Sequence, residues 1–406
     1  MEPNRNTFCV SPFVHQSTKT DGSIKACCRS LPEISNIKNE TLEQAWNNDA
    51  IRKLRLDLLN GVRNERCDVC WRLEDSNVTS LRQKYNRNEL HQTKAAEAIR
   101  TMSEDGTVSN TPAWIEFKLS NICNLKCRMC HPMDSTKWYN DYKSIEHLHD
   151  EGWQNHMRKI GLDKSAKLVN YNDDFFDELP RFMKNIDQLA FAGGEPLMDE
   201  NHYRVLDSVM TNASNIKLRY ATNLTMLKIS KFDALDYFPH FKTVTLSASL
   251  DGPPKLSEYI RGDSDSSVIE KNIRQLKQIK NITVKGKLTV QALNVYYVPE
   301  ALEWFRDLQI DTDMHFVTWP AHLDARIWTG QAREKIIEKL TKYINGLTDN
   351  QYFIRDTAQN VLNYFINDNL YTTEKFNKFV EWNKILDNRR NESFNDFEFL
   401  RDYMNE

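Results

Sequence analysis

The chain has 406 residues, enough for two or three compact units, and its 54 basic and 57 acidic residues leave a formal net charge of −3. That even balance excludes a protein whose main task is gripping nucleic acid through a basic face, though not one that acts on a free nucleotide. With 40% apolar and 11% aromatic residues a sizeable core is available, and there is no low-complexity tract or repeat.

No apolar run is long enough to cross a bilayer, and the start, Met1–Asn6, lacks the apolar stretch of a signal peptide. A cytoplasmic protein with no membrane partner is expected, in the host cytoplasm if the chain is viral. All eight cysteines lie at or before Cys130. In a reducing compartment such clustering points to metal or catalysis rather than disulfides.

In chain order, residues 1–85 read as a small domain. Cys9 lies near its start, and a turn at Asp21-Gly22 leads into a short strand ending at Cys27-Cys28. Leu42–Leu59 has helical periodicity, with Leu42, Trp46, Ile51, Leu54 and Leu58 near one face, and Gly61 follows its end. Cys67-Asp68-Val69-Cys70 comes next. A polar helical link spans 86–111.

From 112 to 320 strand-like and helix-like segments alternate. The strands expected are Trp114–Ser120, Gln188–Ala192, Lys217–Thr222, Thr243–Leu250, Lys285–Ala292 and Met314–Trp319, with helices such as His202–Met210 and Ile269–Ile279 between them. Six strands in such alternation imply an α/β fold with a parallel sheet and crossover helices. The stretch 131–185, rich in Trp, Tyr and His, reads as extra packing or a lid. Residues 321–406 read as amphipathic helices that cover the sheet edge or shape a pocket.

The chemistry-bearing motif is Cys123-Asn124-Leu125-Lys126-Cys127-Arg128-Met129-Cys130, directly after the first core strand. Iron–sulfur clusters are normally held by four cysteines. Three thiolates here, Cys123, Cys127 and Cys130, suit a [4Fe–4S] cube with one iron left open for a ligand. A surface or zinc site of the same spacing is the alternative. The other group, Cys9, Cys27, Cys67 and Cys70, with Cys28 as spare or substitute, suits either a second cluster or a structural four-cysteine zinc site.

The C-x₃-C-x₂-C run resembles the signature of the radical S-adenosylmethionine (radical SAM) family. That resemblance implies a (β/α)₆ partial TIM-like barrel. It also implies that an electron from the cluster cleaves SAM to methionine and a 5′-deoxyadenosyl radical, which abstracts hydrogen from a substrate carbon. Ala192-Gly193-Gly194-Glu195-Pro196 is similar to the family's motif for the SAM amino group. Ala221-Thr222-Asn223-Leu224 resembles a Thr-Asn-Gly turn with Leu224 in place of the glycine, so that Asn223 either reaches SAM or caps the turn. Ser249-Leu250-Asp251-Gly252 is similar to a segment of family members acting on peptides and proteins. By that likeness Ser249 faces the SAM carboxylate or ribose, Arg261 clamps the carboxylate, and Asp251 contacts ligand or caps a helix. Met129 matches a position that packs on adenine.

Cys9, the run Gly22–Cys28, the segment from Asn36-Ile37 through Trp46 to Leu54-Arg55, and Cys67-x₂-Cys70 together resemble a SPASM or twitch auxiliary-cluster module, placed here before the core rather than after it. The layout is similar to radical SAM proteins of bacteria and tailed phages. It implies a peptide or protein substrate and a reductant such as flavodoxin or ferredoxin. Modification of a nucleoside or small metabolite, and a binding module without chemistry, are the other readings.

Overall fold

The computed structural model describes residues 6–75, 79–161, 168–348 and 351–404. The chain forms two compact units, one of residues 1–121, 167–220 and 229–244, the other of 122–166, 221–228 and 245–406. Among the described residues no helix is long and apolar enough to cross a membrane.

The first unit is built on β1 (His15–Thr18), β2 (Ser23–Lys25), β3 (Ser35–Asn36), β4 (Trp114–Phe117), β5 (Gln188–Phe191) and the start of β6 (Lys217–Thr222). Their order is β6-β5-β4-β1-β2-β3. The pairs β4–β5 and β5–β6 are parallel, with Ile115 opposite Leu189 and Leu189 opposite Leu218. Along β6, Leu218, Tyr220 and Thr222 are buried while Lys217 and Arg219 are exposed, the period of two that one covered face demands. The N-terminal span contributes to the same sheet. β1 pairs in parallel with β4, Gln16 opposite Ile115, and β2 and β3 extend it antiparallel. Strands from the expected spans 1–85 and 112–320 therefore lie in one sheet.

The single helix expected over Leu42–Leu59 is two, Leu42–Trp46 and Asp49–Leu59. Asn48 causes the break. Its side chain accepts from the Ile51 amide at 3.1 Å, so it starts a new helix instead of continuing the old one. The interruption leaves the Trp46 carbonyl without a helical partner, and buried Arg55 takes it up together with acceptors from other segments. It donates to Trp46 O at 2.7 Å, Pro12 O at 2.8 Å, Gly106 O at 3.1 Å and Asn47 Oδ1 at 2.8 Å. Burial lowers its pKa to about 9.

The second unit holds most of β7 (Thr243–Ser249), with β8 (Ile282–Val290) and β9 (Asp311–Phe316). β8 lies between β7 and β9 and pairs with β9 in parallel, Leu288 opposite Met314. Helices Pro254–Arg261 and Ser266–Leu276 connect β7 to β8, and Val298–Asp307 connects β8 to β9. All six expected core strands are present, Lys217–Thr222 with the expected bounds and the other five with shifted ends. β9 stops at Phe316 because it pairs residue for residue with β8, so Val317 and Trp319 belong to the outgoing loop.

The C-terminal region is helical as expected: Gly330–Gly346, Tyr352–Asn367, Thr373–Arg390 and Glu398–Met404. Ala332, Ile336, Leu340 and Ile344 make one buried face. The region does more than cover an edge. Arg128, from the cysteine loop, is fully buried against it, donating to Asn383 Oδ1 at 3.1 Å, Asp387 Oδ1 at 2.5 Å and Glu392 Oε2 at 2.6 Å. Its Nε donates to Tyr259 O at 3.1 Å, and its guanidinium lies 3.7 Å from the centre of the Tyr259 ring.

Breaking such a pair strands buried charge, at a cost of about 3–5 kcal/mol. Arg128→Met is expected to lower the thermal midpoint and to speed proteolytic nicking within 373–404. An unchanged midpoint and cleavage pattern would show that the network carries little stability.

Candidate functional site

In the second unit, Cys123 and Cys127 are buried and Cys130 half-buried, gathered with Leu125 and Met129 in one apolar nest. The loop has little secondary structure, so its backbone is fixed from outside. Lys126 N donates to Gly262 O at 3.3 Å, Arg128 N to Ile260 O at 2.7 Å, and Trp138 Nε1 to Cys127 O at 2.8 Å. A hydrogen bond from Cys130, assisted by the Arg261 charge and opposed by burial, lowers the Cys127 pKa to about 7, while Cys130 is raised. A thiolate is thus stabilised at Cys127, the form in which cysteine binds metal.

Asn223 both caps its turn and touches the cysteine loop. Its Oδ1 accepts from Thr225 N at 2.9 Å, and its Nδ2 donates to Asn124 Oδ1 at 3.0 Å and approaches Cys123 Sγ at 3.9 Å. Leu224 has φ +52°, the left-handed conformation usually left to glycine, so the turn keeps its shape despite the substitution. Ser249, half-buried, is the last residue of β7.

Asp251 is not the helix cap that was one of the two roles expected of it. It is buried and caps no helix, since the next one begins at Pro254. Its carboxylate pairs with Arg261 Nη2 at 2.8 Å and accepts from Thr289 N at 2.8 Å. Arg261 is consequently engaged already. Its Nη2 lies on Asp251 and its Nη1 donates to Cys127 Sγ at 3.6 Å, so the guanidinium expected to hold a ligand carboxylate sits against the cysteine loop.

In the first unit, the Gly-Gly-Glu-Pro segment turns back on the end of β4. Gly194 N donates to Ser120 O at 3.0 Å. Gly193 has φ +108°, and a Cβ there would lie 3.1 Å from Ser120 O, so only glycine closes this turn without strain. Buried Glu195 accepts from Leu197 N at 3.1 Å, which caps the short helix Pro196–Met198 and fixes the carboxylate at the strand end. Phe117, Ser120, Gly194, Glu195, Pro196 and Asp199 border a small recess there, of about 10 Å³.

Also in the first unit, Cys9, Cys27, Cys67 and Cys70 line one small recess, of about 20 Å³. Cys28 turns to Tyr85 instead, its Sγ 3.9 Å from the phenol oxygen. Of the two adjacent cysteines, Cys27 is the one that joins the other three. Burial, reinforced by the neighbouring thiolates, raises Cys9 and pushes Cys27 and Cys67 up to about 12. Such thiols ionise readily only when a cation shares the site. Among the described residues no three Cys, His, Asp or Glu groups converge as the ligands of one ion do. Cysteines that each bind a different iron of a cluster sit further apart than the ligands of a single ion. Both thiol sets fit a cluster in donor type.

Sequence reasoning gave Arg128 no role and missed Asn383, Asp387 and Glu392, which lie some 255 or more residues away. An arginine between two apolar-packed cysteines was the one signal available. The aromatic stretch behaves as packing: Trp153 lies 4.5 Å from Trp319, and His149 lies 5.3 Å from Trp382, ring to ring. Burial lowers the His149 pKa to about 4.

Residues 9–71 match the family model of SPASM, an iron–sulfur cluster-binding domain. The match runs from Cys9 through Cys70 and supports a cluster over zinc in the four-cysteine recess. Comparison with curated proteins gave no match. Among solved structures, the chain is similar to Streptococcus suis SuiB bound to precursor peptide SuiA, at 16% identity over 69% of this chain and 58% of that one, TM-score 0.37. Native anSMEcpe with bound AdoMet is similar at 18% identity over 66% and 65%, TM-score 0.36. TYW1 with a lysine-pyruvate adduct is similar at 12% identity over 58% and 72%, TM-score 0.31. The chain spans 58% of the SuiB chain and 65% of the anSMEcpe chain.

Leu224→Gly tests what holds the Asn223 turn. Glycine would relieve about 1–2 kcal/mol of left-handed strain, whereas emptying a fully buried leucine site costs about 2–5 kcal/mol. A net loss of stability is expected in thermal denaturation. A gain would mean that backbone strain dominates.

Proposed function

We propose that this chain, which carries a SPASM iron–sulfur cluster-binding domain at residues 9–71, is a radical SAM enzyme that modifies a peptide or protein side chain. The observation that supports it most is the loop 123–130, with three thiols gathered in an apolar nest and one of them stabilised as thiolate. Cys123, Cys127 and Cys130 would hold a [4Fe–4S] cluster. Bound there with SAM, such a cluster supplies one-electron reductive cleavage of SAM to a 5′-deoxyadenosyl radical.

The protein's own residues bind, orient and shield. Glu195, held as an acceptor by the Gly193-Gly194 turn and Pro196, suits the methionine ammonium. Asn223 and Ser249 offer polar groups to the carboxylate or ribose, and Met129 offers an apolar surface to adenine. Cys9, Cys27, Cys67 and Cys70 would hold an auxiliary [4Fe–4S] cluster. The reductant is a flavodoxin- or ferredoxin-type protein. The peptide substrate class rests on Ser249-Leu250-Asp251-Gly252, similar to the segment in family members that act on peptides and proteins.

The anaerobically reconstituted, dithionite-reduced protein is expected to release 5′-deoxyadenosine from SAM, and Cys127→Ala to abolish that release. Product at the wild-type rate from Cys127→Ala would refute the assignment. In iron analysis, Cys67→Ala/Cys70→Ala is expected to lose about four irons, one [4Fe–4S] cluster. Loss of zinc instead would make the N-terminal site structural.

A further inference from the structure

Arg261 and Asp251 form a buried ion pair beside the cysteine loop, with 7% and 0% of their surfaces exposed. The pair is anchored from behind. Asp251 accepts from Thr289 N at 2.8 Å through its carboxylate and from Asn294 Nδ2 at 2.8 Å through its carbonyl, and its amide donates to Ser257 Oγ at 3.2 Å. The guanidinium held this way donates Nη1–H to Cys127 Sγ at 3.6 Å.

Backbone pairing fixes the same neighbours a second time. Lys126 N bonds to Gly262 O and Arg128 N to Ile260 O. Between those two bonds, Cys127 and Arg261 stand opposite each other. Their contact is therefore set by main chain as well as side chain, and neither residue can leave it without disturbing both segments.

We propose that Arg261 is a positioning residue that raises the reduction potential of the cluster held by Cys123, Cys127 and Cys130, acting through its hydrogen bond to Cys127, with Asp251 fixing its orientation. This rests on the radical SAM reading above. Hydrogen bonds to cluster sulfurs, and the net charge around them, set the potential of an iron–sulfur centre. A donor aimed at a ligand thiolate draws electron density from it and favours the state with one more electron. Cluster reduction is the step that would gain.

The test is a redox titration of the full-length reconstituted protein without SAM, followed by electron paramagnetic resonance. The core cluster is identified as the signal that Cys127→Ala removes. Arg261→Met is expected to lower its reduced-to-oxidised ratio about tenfold at fixed potential, about 59 mV for one electron. Because Arg261→Met strands a buried carboxylate, Asp251→Asn/Arg261→Met is the companion variant and is expected to shift the same way. An unchanged potential in both, with tenfold weaker SAM binding, would overturn the proposal and make Arg261 a ligand clamp. Loss of the cluster from both, while Arg261→Lys keeps the cluster and the wild-type potential, would also overturn it. A wild-type chain without any cluster that Cys127→Ala removes would instead refute the radical SAM reading.

Discussion

The buried guanidinium of Arg128 is the interaction on which the second unit depends. It comes from the middle of a loop that has almost no secondary structure, and it meets two carboxylates and an amide from a segment late in the chain and the face of Tyr259. A loop of that kind has no reason to hold one shape by itself, since fixing each residue costs about 1–2 kcal/mol of conformational entropy. A charge that must find its counter-charges supplies the reason. Arginine suits the task because its planar fork satisfies several acceptors at fixed angles.

The first unit uses the same solution with different acceptors. Arg55 meets mostly main-chain carbonyls, including one left over where Asn48 ends one helix and begins another. In each unit a buried cation gathers segments that hydrophobic packing would bring close without fixing. Such a cation costs desolvation, which shows in the lowered pKa of Arg55, and the cost is offset only because nearly all of its donors are used.

Much of this was legible in the sequence. Strand alternation, glycine turns and cysteine spacing are local patterns, and they located all six core strands, the Gly193-Gly194-Glu195 turn and both thiol groups. The helix break at Asn48 was hidden because apolar periodicity ran straight across it, while the capping preference of asparagine is a one-residue signal. The pairing of Arg261 with Asp251 and Cys127 was hidden for a different reason. A motif names residue types that suit a ligand, but partner choice inside a protein depends on what else is buried nearby. The nine residues between Asp251 and Arg261 carry no pattern that announces an ion pair. Contacts of Arg128 with residues 383–392 are further still beyond reach, because no periodic signal spans such a separation.

The placement of β1 beside β4 bears on how the cysteine-rich segment can be handled. Its three strands finish one side of the parallel sheet, with β1 meeting the β4 backbone directly. Cutting that segment away would bare a row of unpaired amides and carbonyls flanked by Trp114, Ile115 and Phe117, the kind of border on which other chains stack. The cluster-binding segment is thus also a guard against aggregation, and a shortened chain would lose solubility before the chemistry could be asked about.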